Sequence, residues 1–207
     1  MDNTSVMENQ TENAHETTTG LNNRKLLMWL FLGSDCMFFG ALIATYLVHQ
    51  GKSLVGPYPV DVFDIPTTSV STFVLLMSSM SMVLAYSALN RGNLKGFRIW
   101  ILSTAIMGAT FLAFQVFEFR TFVHHDHLTP QVNLFGSTFF TLTGIHGAHV
   151  TLGVIWLLSL YFNSFRGGVT PERSLDVDLA ALYWHFVDMV WIIIFTVVYL
   201  FGVFRGF

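Results

Sequence analysis

Charge is scarce in this chain, and that shortage is the first constraint on what it is. Only 11% of its 207 residues are Asp, Glu, Lys or Arg, against about 25% in ordinary soluble domains. A soluble fold of this size needs a charged surface, so the deficit calls for an outside covered by something other than water. The formal net charge of −3 leaves no basic footprint for a nucleic-acid partner. One cysteine, Cys36, excludes an internal disulfide, and without Cys-x-x-Cys-His there is no c-type heme attachment. Gly-rich phosphate loops, nucleophile elbows and zinc-protease helices are missing. There is no internal repeat either, which weakens an inverted-repeat transporter.

What the chain does hold is apolar length. Hydrophobic residues make up 53% of it, with 21 Phe. Five apolar stretches, near 26–49, 68–90, 97–123, 134–163 and 177–204, are each long enough to cross about 30 Å of hydrocarbon, which takes about 20 helical residues. In lipid a helix satisfies its own backbone and needs no polar face. The expected fold class is therefore all-α, a polytopic membrane bundle of five transmembrane helices. Punctuation closes the stretches: Gln50-Gly51-Lys52, Asn90-Arg91-Gly92-Asn93, His124-His125-Asp126-His127 and Arg166-Gly167-Gly168. The longest connection, about 51–67, contains Pro57, Pro59 and Pro66 and is irregular. Residues 1–24 are polar and lack an apolar h-region, so they read as a flexible tail and not as a cleavable signal. Residues 25–207 form one membrane domain.

Seven of the ten cationic residues fall on one side: Arg24, Lys25, Arg91, Lys95, Arg98, Arg166 and Arg173. Lys52, Arg120 and Arg205 fall on the other. The positive-inside rule places the N-terminus in the cytoplasm and the C-terminus outside.

Ionisable groups inside such spans are costly, and each one asks for a partner. Asp35 lies well inside the first span and must meet protein, a headgroup or a water pocket, or else be protonated. Glu118, one turn beyond Gln115, is near its span's end, where it can snorkel to the interface. His146 and His149, at i, i+3, share a face and have beside them in the chain Gly144 and Gly147, small residues that allow close helix approach. His185 and Asp188 repeat the i, i+3 spacing, which lets a carboxylate orient an imidazole. The fourth and fifth spans are joined by a short connection and pack antiparallel. His149, His185, Glu118 and Asp188 are then expected along one polar seam. Heme ligation by His146, His149 or His185 stays open on spacing alone, without a cysteine or carboxylate cluster to add to it. The loop run 124–127 is either a cation site or a solvated surface loop, and the latter is the plainer reading.

Two strings then carry a resemblance. Phe139-Phe140-Thr141-Leu142-Thr143-Gly144-Ile145-His146-Gly147-Ala148-His149-Val150 and Tyr183-Trp184-His185-Phe186-Val187-Asp188, with Val190-Trp191, resemble the signature segments of the subunit III family of heme-copper respiratory oxidases. Ser34-Asp35-Cys36-Met37-Phe38-Phe39, the span from Thr68 to Ala85 and Gln115-Val116-Phe117-Glu118-Phe119 match in the family's order. The resemblance covers about 25–207 and is closest to a short, five-helix bacterial class.

It implies a subunit without heme or copper of its own, beside a catalytic subunit that carries both, reduces oxygen to water and pumps protons. The implied partners are oxidase subunit I, subunits II and IV, and phospholipid held in a cleft; a respiratory supercomplex is compatible. The implied location is the bacterial cytoplasmic (inner) membrane. Asp35 stands where many members have Glu, one methylene longer. Asp35, Glu118, His146, His149, His185 and Asp188 are expected in lipid-binding or structural roles, not in catalysis. A nitric oxide reductase accessory protein and a stand-alone membrane cytochrome are the alternative readings. Quinol and cytochrome c are not distinguished as electron donor.

Overall fold

In the computed structural model, the described residues are 22–52, 63–124, 128–129, 131, 133–171 and 174–204. The expected tail up to residue 21 and the His125-Asp126-His127 part of the loop run lie outside them. Among the described residues, five helices are long and apolar enough to cross a membrane. They are α1 (Asn23–His49), α2 (Ile65–Asn90), α3 (Leu94–His124), α4 (Leu134–Phe165) and α5 (Leu175–Ile194). The fifth span continues through a π-helical turn, Phe195–Leu200, into a last short helix, α6 (Phe201–Phe204). Helix α1 begins at Asn23 and so includes Arg24 and Lys25.

Local chemistry explains the helix ends. Gly51, Gly92 and Gly167 each have φ 73°, a left-handed conformation that glycine adopts without a Cβ penalty and that stops a helix. After α2, the Gly92 N–H donates to the Leu89 carbonyl at 2.8 Å and the Asn93 N–H to Ala88 at 2.9 Å. These bonds satisfy the last carbonyls of α2 and turn the chain straight into α3. At the start of α4, the Asn133 side chain accepts from the Gly136 N–H at 2.7 Å, a conventional N-cap. Pro66 sits in the first turn of α2, where its missing N–H costs nothing.

The chain divides into two compact units, one up to Phe38 and one from Phe39 onward. The first contains the opening turns of α1, with Ser34 Oγ donating to the Phe31 carbonyl at 3.0 Å. The second contains the remainder. In it, α2 packs on α3, α3 on α4, α4 on α5 and α5 back on α2, closing a ring of four helices. Hydrogen bonds give their directions. Along α2 and α5, Thr72 pairs with Trp191 and Ser78 with Trp184, so one numbering rises as the other falls: the two are antiparallel. Helices α4 and α5 are antiparallel as well: His146 stacks on Trp191 while Gly153 lies against Trp184, and the Tyr183 hydroxyl donates to the His149 carbonyl at 3.0 Å.

At the centre of the ring is Trp184, 2% exposed. Its indole N–H donates to Ser78 Oγ on α2 at 2.9 Å. Its ring fills the space over two glycines. A Cβ at Gly108 on α3 would lie 2.5 Å from Trp184 Cη2, and one at Gly153 on α4 would lie 2.8 Å from Cζ3. One side chain thus touches the other three helices of the ring. Towards one end, Phe63, Phe122, Phe135 and Phe139 cluster with Tyr199, and Phe63 stacks on Tyr199 at 4.3 Å between centroids. Towards the other, Arg98 Nη2 donates to the Ser164 carbonyl at 2.7 Å and its guanidinium covers the Phe165 ring at 4.2 Å. A cation at the carboxyl end of α4 is also favoured by the helix dipole.

The glycines along α4 are not equivalent. Gly147 lies under Gln115 of α3, where a Cβ would come 2.7 Å from Oε1, whereas nothing lies within 4 Å of a Cβ at Gly144. The expectation of close approach therefore holds at Gly147 and not at Gly144. Gly153→Ala and Gly108→Ala are expected to lower stability by about 1–3 kcal/mol through overpacking. Gly144→Ala should be neutral or stabilising by up to about 1 kcal/mol, through helix propensity alone. Thermal unfolding of the detergent-solubilised protein checks the opposite signs.

Candidate functional site: two polar clusters on a hydroxyl face

Helix α2 has no ionisable side chain within its limits other than Tyr86, but it carries hydroxyls at helical spacing: Thr68, Ser71, Thr72, Ser78, Ser79 and Ser81. Five of these six are buried, and Ser79 is half-buried. Three of them, Ser71, Thr72 and Ser78, satisfy their protons on their own helix. Thr72 Oγ1 donates to the Thr68 carbonyl at 2.7 Å and Ser78 Oγ to the Leu75 carbonyl at 2.5 Å. Their lone pairs then face α5. An indole N–H donates and cannot accept, so it is the complementary group. Trp191 Nε1 binds Thr72 Oγ1 at 3.0 Å, as Trp184 binds Ser78. On the α3 side, Ser81 Oγ donates to the Trp100 carbonyl at 3.0 Å.

The first cluster surrounds Glu118. Thr68 Oγ1 donates to Glu118 Oε1 at 2.7 Å and the Tyr199 hydroxyl donates to Oε2 at 3.1 Å. The expected snorkelling to the interface is not what Glu118 does: its carboxylate turns inward because two O–H donors on α2 and the fifth span meet it there. The Tyr199 partner belongs to the π-helical turn. The inserted residue changes the register of the fifth span over its last turns. Thr67 Oγ1, next to Thr68, donates to Asp64 Oδ2 at 2.5 Å, and so the polar connection reaches the start of α2.

The second cluster joins α2 and α5 at Ser79. Its hydroxyl donates to Asp188 Oδ2 at 2.5 Å, and His185 Nδ1 lies 3.2 Å from the same serine oxygen. His185 and Asp188 are thus linked as their spacing suggested, but through a serine of another helix. Asp188 is 5% exposed and its Oδ1 is buried without a partner among the described residues.

The anticipated single seam therefore resolves into two clusters. Thr68 and Ser79 are 11 residues apart on α2, roughly 16 Å along a helix. His149 joins neither through its ring, whose Nδ1 lies 2.9 Å from its own helix's Ile145 carbonyl; Phe39 packs edge-on against it at 5.1 Å. His146 is fully buried and stacks on Trp191 at 5.0 Å, with Phe111 and Phe39 at its edges. Neither ring nitrogen of His146 has a hydrogen-bond partner among the described residues. Asp35 lies in the unit that ends at Phe38. Gln115, read beside Glu118 from the sequence, is instead an α3–α4 tie, its Nε2 donating to the Thr143 carbonyl at 2.8 Å. Among the described residues no group of three or more His, Cys, Asp or Glu is arranged to hold a metal ion.

Sequence reasoning looked for charges and so gave no role of their own to Thr68, Thr72, Ser79, Tyr199 and the two tryptophans. The available signal was the hydroxyl periodicity of α2, which places six donors on neighbouring rows of one helix. Thr68→Val and Tyr199→Phe should each cost about 0.5–1.5 kcal/mol, the usual worth of one hydrogen bond. The double variant should cost more than the two added together, because the buried carboxylate then keeps neither donor. A double-mutant cycle on thermal stability measures the difference.

Comparison with known proteins gives the following. A family model described as cytochrome c oxidase subunit III matches residues 4–203. A quinol oxidase subunit 3 of Bacillus spizizenii is 38% identical over 188 residues, 91% of either chain. A cytochrome c oxidase subunit 3 of Bacillus sp. strain PS3 is 38% identical over 180 residues, 87% of this chain and 86% of the relative. A cytochrome bo(3) ubiquinol oxidase subunit 3 of Pseudomonas putida is 39% identical over 175 residues, 84% of each.

Proposed function

Because the chain belongs to the cytochrome c oxidase subunit III family, we propose that it stabilises the catalytic subunit of its oxidase and holds phospholipid for it. The chain is subunit III of a bacterial heme-copper oxidase, a multi-pass membrane protein that belongs to a terminal oxidase complex. On this reading it performs no redox step. Heme and copper belong to the catalytic subunit I, with subunits II and IV completing the assembly, in the cytoplasmic (inner) membrane with the N-terminus inside.

One observation carries the supporting role. Glu118 and Asp188 each accept from a hydroxyl of α2, and Trp184 and Trp191 donate to two more. Groups that in another bundle would conduct protons or bind substrate are used here to fasten helices. Interhelical hydrogen bonds average about 0.6 kcal/mol each in membranes, so several together make a firm frame without a reactive centre. The same reading assigns Asp35, His149 and His185 to lipid and partner contact, and His146 to packing. The relatives' names divide between quinol and cytochrome c oxidases, and the donor would be bound by other subunits.

Gentle purification of the protein with its companions tests the assignment: a partner carrying heme and copper is expected. Asp35→Ala should leave heme content intact while shortening the working lifetime of the complex or depleting its lipid. Undiminished turnover durability together with unchanged lipid content would refute the part given to Asp35.

A further inference from the structure

The second polar cluster has an unanswered side. Ser79 Oγ owns one proton, and it goes to Asp188 Oδ2 at 2.5 Å. Toward His185 the serine therefore offers only lone pairs, so at 3.2 Å it is His185 Nδ1 that carries hydrogen and donates. A neutral imidazole protonated on Nδ1 presents Nε2 as a bare acceptor. No hydrogen bond from the described residues reaches that atom, and the ring is only half-buried.

The surroundings restrict what could meet Nε2. Ser79 lies 14 residues from the start of α2 and 11 from its end, roughly 21 Å and 16 Å of helix, so it is well within the hydrocarbon thickness. Lipid headgroups do not reach that depth, and acyl chains have no donor. Beside Ser79 on α2, Leu76 and Val83 are exposed; beside His185 on α5, Met189 and Ile192 are exposed, Met189 at 59%. These positions are one or two turns away along their helices and make an apolar stripe on either side of the polar pair. Methionine and branched aliphatic side chains pack readily against another helix.

We propose that the α2–α5 face centred on His185 is a docking surface for a transmembrane helix of a partner subunit of the oxidase. That helix presents an N–H or O–H donor to His185 Nε2. The chain Asp188–Ser79–His185 fixes the tautomer, so the face accepts from a donor helix and discriminates against one offering an acceptor. The inference rests on the family reading, since it needs a companion subunit in the membrane.

The test uses the assembled oxidase. His185→Phe keeps the ring volume and removes the acceptor, and His185→Gln restores an amide near the Nε2 position. Retention of the chain on the complex through a detergent wash should fall roughly threefold for His185→Phe, the equivalent of one interhelical hydrogen bond. It should recover for His185→Gln. Wild-type retention of His185→Phe would overturn the proposal, as would equal losses for the two variants. A photo-crosslinker at Met189 in the otherwise unaltered complex reads the face independently of variant folding. Capture of an oxidase subunit supports the contact, and capture of lipid alone overturns it. If the wild-type chain purified without any heme-bearing partner, the family-based function itself would fail, a result distinct from either of these.

Discussion

An indole N–H inside a membrane has no water to turn to, and much of this structure follows from where that proton goes. Trp184 donates to Ser78 while its ring lies against Gly108 and Gly153. For the bond to form, the serine must have placed its own proton elsewhere, which it does on the Leu75 carbonyl. For the ring to fit, two other helices must lack a Cβ at the right height. Four helices thus share one contact, and displacing any of them strands either a polar atom or a bulky ring.

The same logic runs along the rest of α2. A helix of hydroxyls is apolar enough to insert, since each Ser or Thr can bond back to its own backbone. Once folded, it has lone pairs to offer indoles and, at Thr68 and Ser79, protons to offer carboxylates. Helix α5 and the end of α3 carry the complementary groups. Glu118 and Asp188, the costliest residues to place in lipid, are drawn to the α2 side of the bundle by this. Such bonds are individually weak, so packing of the aromatic cluster around Phe63, Phe139 and Tyr199 supplies the bulk, and the polar ties select the register. On the proposed reading, a bundle built in this way is suited to support a neighbour. Its hydroxyls, indoles and carboxylates are in large part committed to one another, and its exposed faces are apolar.

Much of the architecture was legible from the chain alone. Hydropathy marked five spans because a bilayer imposes a minimum apolar length, and the glycines at 51, 92 and 167 marked stops because a left-handed φ is a local property of the residue. The two histidine strings were enough to suggest the family, and the matched relatives bear that out. The antiparallel pairing of α4 with α5 followed from a short connection. The polar seam was read less well. Spacing correctly placed His185 and Asp188 on one face, but could not show that a serine from another helix lies between them, nor that Glu118 faces inward.

The division has a physical cause. Span length, helix ends and the shortage of charge depend on residues near one another in the chain, and the sequence by itself determined them. The partners of the buried groups lie far away: Thr68 and Glu118 are separated by 50 positions, Ser79 and Asp188 by 109, Thr72 and Trp191 by 119. Which of them meet depends on how each helix is rotated about its axis. In hydrocarbon, where apolar faces are nearly equivalent, hydropathy says little about that rotation. Only the tertiary structure decided it, by matching the hydroxyl face of α2 to the indoles and carboxylates able to use it.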